Sequence, residues 1–174
     1  MFFNEEVKKA ANATSRGRGA VGKKAKIPII IRRYLRPETK ILDFGAGRNA
    51  IHTHELRKEG FNITAYDFGD NCCEYHNPNA LDSEYDVVFA SNVLNTINEV
   101  PCIVKTFTQL FYATKSGGMC FFNYPKSPRL CPSFTIKMLE KLASAFSNSV
   151  DLLDDNVYVL TKTSRSPEII VDLF

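Results

Sequence analysis

The run Lys40-Ile-Leu-Asp-Phe-Gly-Ala-Gly-Arg-Asn49 constrains the fold of this chain more than any other stretch. Ile41, Leu42 and Phe44 supply the apolar content of a buried strand. Gly45 and Gly47 then let the backbone turn sharply and let a ligand approach it without meeting a Cβ. Asp43 falls at the carboxyl end of that strand, the edge at which open α/β sheets bind ligands. A second apolar run, Phe61 to Asp67, again ends in an acid. Strand, glycine turn, helix, strand, acid is the first half of a nucleotide-type site.

Two ligand outlines share those residues. The spacing Gly45-x-Gly47-x-x-Ala50 fits the dinucleotide fingerprint in its Gly/Ala form, with Asp67 near the distance of a ribose acid. The spacing Asp43-x-Gly45-x-Gly47 resembles motif I of the class I S-adenosylmethionine (SAM) dependent methyltransferases, with Asn49 where that family usually carries a third glycine. A dinucleotide needs the helix N-terminus for its pyrophosphate. SAM has no phosphate but has an amino group for an acid to hold, so Asp43 favours SAM as the cofactor.

Length and composition bound the rest. At 174 residues and 44% hydrophobic, the chain has enough material for one domain with a buried core. No stretch reaches the roughly 20 apolar residues of a membrane span, and no membrane partner is expected. Glu5 and Glu6 stand where a signal peptide would be basic. The five cysteines (72, 73, 102, 120, 131) are odd in number and include no C-x-x-C pair. They read as free thiols in a reducing, cytoplasmic setting, with no metal site. His52 and His54 are two apart and share no helix face for a metal. Residues 1–36 carry ten Lys/Arg against two acids, a net of +8, and the remainder nets −5. Arg16, Arg18, Lys23, Lys24 and Lys26 thus form a basic arm over residues 1–26, ahead of one domain at 27–174. Such an arm suits a polyanion, DNA or RNA; the alternative is a solvated terminus beside a small-molecule site.

Along the chain, Pro28 starts a short apolar helix that ends near Pro37. A strand over 40–44 and a helix over about 49–59, stopped by Gly60, precede a strand at 62–67. Residues 68–84 are too short and polar for a helix plus a strand, so the third strand region is reduced. A strand at 85–91, a helix at 101–114 stopped by Lys115-Ser-Gly-Gly118, and a buried strand at 119–124 follow. Ser133 is expected to cap a helix through Phe146. Val157–Leu160 and Ile169–Leu173 are the expected last two strands. The alternation gives an α/β three-layer fold with a mainly parallel sheet.

Further on, Tyr85-Asp-Val-Val-Phe-Ala-Ser-Asn-Val-Leu-Asn95 resembles the methyltransferase motif IV strand and loop, and Lys115-Ser-Gly-Gly-Met-Cys-Phe-Phe122 resembles a later motif of that family. The likeness covers about residues 27–125 and implies a Rossmann-like methyltransferase fold ending in an antiparallel hairpin. The basic pre-helix and the DFGAGR and ASNVLN loops are also similar to methyltransferases associated with DNA modification. The resemblance implies that Asp43, Gly45, Ala46 and Gly47 line the methionine end of SAM. By the same carry-over Asp67 takes the ribose hydroxyls, Phe68 lies against adenine, and Ser91 and Asn92 edge the pocket near the methyl group.

Methyl transfer displaces an already activated leaving group, so it needs alignment and water exclusion more than a base. Catalytic residues are therefore faint in the sequence. Asn92 and Tyr124 are the candidates, with His76 and Arg129 as further acceptor-side residues. The Asp/Asn-Pro-Pro-Tyr signature of amino-directed nucleic-acid enzymes is absent after the motif IV strand. Asn123-Tyr124-Pro125 has some of its residue types but follows the next strand. No Pro-Cys stands on the motif IV loop. The expected activity is SAM-dependent methyl transfer, with a nucleic acid as acceptor. The alternatives are a small-molecule acceptor, a non-catalytic SAM-binding module and an NAD-binding enzyme.

Overall fold

The computed structural model describes Lys9, residues 25–146 and residues 150–163. Among the described residues six strands form one sheet: β1 (Lys40–Phe44), β2 (Asn62–Tyr66), β3 (Tyr85–Ala90), β4 (Thr114–Asn123), β5 (Val150–Asp154) and β6 (Val157–Thr161). Their order across the sheet is β2-β1-β3-β4-β6-β5. The β2–β1, β1–β3 and β3–β4 pairs are parallel, and β6 runs antiparallel to both β4 and β5. The expected α/β fold, mainly parallel with a C-terminal antiparallel hairpin, is the one observed.

Helices α1 (Lys26–Ile31), α2 (Ile51–Lys58), α3 (Val100–Ala113) and α4 (Ile136–Phe146) flank the sheet. On one face, Ile27 and Ile31 of α1 and Leu56 of α2 pack against Ile41, Val87, Phe89 and Phe121. On the other, Ile103, Phe107, Leu110 and Phe111 of α3 and Leu139, Leu142 and Ala143 of α4 cover Leu42, Phe44, Val88, Cys120 and Phe122. The sheet alternates its side chains between two apolar layers, which is why the central strands read as continuous hydrophobic runs.

Local chemistry sets the boundaries. Gly60, at φ 92, ends α2: its N–H reaches Arg57 O at 3.0 Å and the Phe61 N–H reaches Leu56 O at 3.1 Å. Those paired bonds form the Schellman closure that a left-handed glycine permits. Residues 68–84 hold two short 3₁₀ turns, Gly69–Asn71 and Ala80–Asp82. A single parallel bridge, Ala65 to His76, stands where another edge strand would lie.

Three expectations shift. β4 begins at Thr114 directly after α3, so Lys115–Gly118 belong to the strand and do not form a stop. A bulge opposite Tyr85 and Val87, with Gly117 at φ 78, absorbs the irregular segment. α4 starts at Ile136, not Ser133, because residues 131–135 turn first, with Phe134 N–H bonded to Cys131 O. The hairpin partner of β6 is β5, which the sequence reading missed; Ile169–Leu173 lies outside the described residues. β5 is an edge strand whose Asp151, Leu152 and Asp154 are exposed, so it lacks an apolar signature.

Gly118 marks a close backbone approach within the bulge. A Cβ there would sit 2.8 Å from Asp86 O and 2.9 Å from Lys115 O, neither of which can swing away. Gly118→Ala is expected to destabilise the protein by about 2–3 kcal/mol in chemical denaturation, as overpacking does. A loss below about 0.5 kcal/mol would show that the bulge relaxes freely.

Candidate functional site

β1 has β2 on one side and β3 on the other, and the chain crosses over between them. The carboxyl ends of β1 and β3 therefore form a topological switch point, the crevice in which open α/β sheets place ligands. Gly45 and Val93 meet there so closely that a Cβ on Gly45 would lie 2.4 Å from Val93 Cγ2.

The loop from Gly45 to Ala50 is tied to the end of β2. The N–H groups of Gly45 and Ala46 both donate to Tyr66 O, at 2.8 and 3.0 Å. The Gly47 N–H donates to Asp67 Oδ2 at 2.6 Å, and the Phe68 N–H to Asp67 Oδ1 at 2.8 Å. Asn71 Nδ2 adds a bond at 3.4 Å to Oδ1. Gly45 and Gly47 take φ values of 74 and 71, which only glycine adopts without strain. Ala46 is buried beneath the loop.

Asp43 is 1% exposed and accepts a hydrogen bond from Thr53 Oγ1 of α2 at 2.8 Å. It thereby serves the first turn of a helix whose Ala50 cap position carries no side-chain acceptor. Burial, opposed by the Thr53 bond and reinforced by the nearby Asp67 charge, pushes the Asp43 carboxyl up to about 7. Burial also raises Asp67, against its hydrogen bonds from Phe68, Gly47 and Asn71 and the field of His76. Among the described residues no Lys or Arg forms an ion pair with either carboxylate. The crevice thus holds two desolvated acids with no Lys or Arg paired to them among the described residues, and it accommodates a cationic ligand on charge grounds.

The segment after β2 folds back onto this loop. His76 is buried, with Nε2 3.1 Å from Gly47 O and Nδ1 3.3 Å from Cys73 Sγ. The His54 ring stands edge-on to Tyr75 at 4.8 Å. His76, a candidate acceptor-side residue by sequence, is thus packed against the glycine loop. His52, buried on α2, is pushed below its ordinary value by desolvation.

A separate cleft of about 310 Å³ opens at the ends of β3 and β4 beside the β5–β6 turn. Ser91, Asn92 and Asn123 line it together with residues 25–27 at the start of α1 and residues 155–157 of the β5–β6 turn. Asn92 takes a left-handed φ of 59. Its backbone N–H donates to Asn123 Oδ1 and its side-chain Oδ1 accepts from Asn123 Nδ2, both at 2.6 Å. With Oδ1 so engaged, Nδ2 is the part of the Asn92 amide left for a ligand.

Of the site residues expected from sequence, Asp43, Gly45, Ala46, Gly47 and Asp67 gather in the crevice, and Phe68 follows Asp67 with its N–H bonded to that carboxylate. Ser91 and Asn92 line the neighbouring cleft. Tyr124 does not reach it. Its side chain is fully buried, its hydroxyl donates to Phe134 O at 2.9 Å, and its phenol is raised to about 12, chiefly by burial. The cleft residue the reading passed over is Asn123. It ends β4, and β4 lies beside β3, so Asn123 meets Asn92 just beyond the end of β3.

Residues 24–149 match the family model described as a methyltransferase domain. No curated protein sequence matches the chain. Among solved structures, a TehB-like SAM-dependent methyltransferase from Corynebacterium glutamicum superposes with a TM-score of 0.65 at 14% identity, covering 90% of this chain and 99% of that one. An S-adenosyl-L-methionine-dependent methyltransferase of Methanococcus maripaludis gives 0.61 at 15% identity, covering 94% and 97%. The T. thermophilus 16S rRNA N2 G1207 methyltransferase gives 0.58 at 12% identity, covering 86% of this chain and 42% of that one. At these identities the structures show a shared fold.

Proposed function

This chain belongs to the class I SAM-dependent methyltransferase family, and we propose that its methyl acceptor is a nucleic acid base presented at the cleft that Asn92 and Asn123 line. The family match decides between the two ligand outlines: SAM is the cofactor, and the dinucleotide reading falls away. The residues present fit it. SAM carries a sulfonium and an ammonium, and the crevice offers two buried acids that pair with no Lys or Arg among the described residues.

When bound, SAM supplies a methyl group on an activated sulfur. The chain's own residues bind and align. Asp43 would hold the cationic methionine end. Asp67, with about four acceptor positions of which three are used, would take a ribose hydroxyl. Its bond to the Gly47 N–H ties the loop to the end of β2. Phe68 would lie beside the adenine. Ser91 and Asn92 join this crevice to the cleft, and the Asn92–Asn123 amide pair would orient a polar acceptor and displace water.

The observation that supports a nucleic acid is where the basic arm ends. Ala25 and Lys26 form a wall of the cleft, so the chain carrying Arg16, Arg18, Lys23 and Lys24 joins the domain at its mouth. A polyanion held by the arm would thus be delivered to the acceptor position. A methyltransferase of rRNA shares the fold, which is compatible with this reading.

Binding of a fluorescent RNA or DNA oligonucleotide at several salt concentrations tests the role of the arm. Each phosphate contact contributes roughly 0.9 to the log–log slope, so the full chain is expected to show a slope of about 3 or more. Removal of residues 1–24 should reduce it to about 1 or less. An unchanged slope, or a methyl-transfer rate indifferent to the arm, would favour the small-molecule acceptor.

A further inference from the structure

We propose that Cys73 is a modification site: a nucleophilic thiol, with His76 as its proton acceptor, that reacts with disulfides on the rim of the glycine loop. The hydrogen-bond pattern assigns the roles. His76 Nε2 lies 3.1 Å from Gly47 O, and a carbonyl only accepts, so Nε2 carries the proton. Nδ1 is then the lone-pair nitrogen. It accepts the Cys73 N–H at 3.2 Å and faces the Cys73 thiol at 3.3 Å.

Movement of the thiol proton to Nδ1 leaves a thiolate against an imidazolium. The Nδ1–H then faces the sulfur and the Nε2–H keeps Gly47 O, while the Cys73 N–H gives up Nδ1 as its acceptor. A cysteine, a base and a third group orienting that base form the arrangement that activates thiols.

The chain supplies its own control in the adjacent residue. Cys72 is the more exposed of the two; each thiol donates to a backbone carbonyl, Cys72 to Asp67 O at 2.9 Å and Cys73 to Arg48 O at 3.3 Å, and Cys73 has the imidazole nitrogen of His76 beside it as well. Burial and the Asp67 charge raise the Cys72 thiol. Exposure alone therefore predicts that Cys72 reacts first, and the geometry predicts Cys73. Cys102, Cys120 and Cys131 are buried.

In the reaction the Cys73 thiolate attacks one sulfur of a disulfide. The new S–S bond forms as the old one breaks, and the departing thiolate carries the electron pair away. The proton remains on His76 until solvent removes it. The product is a mixed disulfide at a sulfur that also lies 3.3 Å from Arg48 O, in the loop between the two crevice acids.

The test is reaction of the full-length protein with a limiting amount of an aromatic disulfide at neutral pH, followed by peptide mass mapping. Cys73 should be modified at least tenfold faster than Cys72. In His76→Gln the Cys73 rate should fall about tenfold, while Cys72→Ser should leave it unchanged. Faster modification of Cys72 in the unaltered protein would overturn the proposal, and that comparison needs no variant to fold. An unchanged Cys73 rate in a folded His76→Gln protein would overturn it equally.

Discussion

Asp43→Asn is expected to abolish useful SAM binding while making the ligand-free protein more stable at pH 8. The two effects have one origin. The Asp43 carboxyl is pushed to about 7 because burial disfavours its charge and the Thr53 hydroxyl only partly offsets that. Its folded value lies above its unfolded value near 3.8. The native state therefore binds the proton more tightly than the unfolded chain. This contribution to stability is fully present below about pH 4 and is lost as pH rises through about 7. A shift of that size corresponds to an order of 4 kcal/mol. An asparagine of the same shape stays neutral, and the Thr53 hydroxyl can bond to it in either sense. At pH 8 the variant should gain roughly 2–4 kcal/mol, or about 5–15 °C in Tm, with almost no gain at pH 4. SAM binding should weaken by a hundredfold or more, because its cationic end meets an amide instead of a carboxylate. For the unaltered protein, SAM affinity should rise as pH increases from 5.5 towards 7.5, the range in which Asp43 ionises. Calorimetric titration and thermal unfolding at the two pH values check both. A variant that is less stable at pH 8 would show that Asp43 serves chiefly as a helix cap.

The second large effect is expected at the switch point. Gly45→Ala should cost about 2–5 kcal/mol. One part is the left-handed φ of 74, which an L-residue adopts at roughly 1–2 kcal/mol. The larger part is the approach of the new Cβ to 2.4 Å from Val93 Cγ2. Trimming Val93→Ala removes the obstructing methyl, at its own cost for a side chain only 7% exposed. The double variant should be at least about 1 kcal/mol more stable than the sum of the single changes predicts. Denaturant unfolding of the four proteins measures that coupling. Strict additivity would mean that the motif I and motif IV loops do not bear on each other as described.

Much of this arrangement was legible because it rests on chemistry local in sequence. Two glycines after an apolar run, each needing a left-handed φ, identify the loop; an acid at the end of each of the first two strands identifies the crevice. The shortened 68–84 segment was legible by length alone. What the sequence hid depends on neighbours across the sheet. β5 is an edge strand carrying Asp151 and Asp154, so it resembles a loop until β6 pairs with it. Tyr124 was read as an acceptor residue, yet alternation along β4 places it with Cys120 and Phe122 towards α3 and α4. The same alternation turns Asn123 the other way, to Asn92. The period of two was in the sequence; which face held the cleft was not. The His76 and Cys73 contacts likewise depend on a backward fold that no periodicity announces.

Transfer of a labelled methyl group from SAM tests the central claim most directly. The full-length protein would be offered mixed RNA and DNA in one reaction and a pool of small-molecule acceptors in another. Label is expected in the nucleic acid fraction, released as a methylated base on nuclease digestion and lost with Asp43→Asn. Label confined to the small-molecule pool would contradict the proposed acceptor. SAM binding without transfer to either pool would reduce the protein to a SAM-binding module.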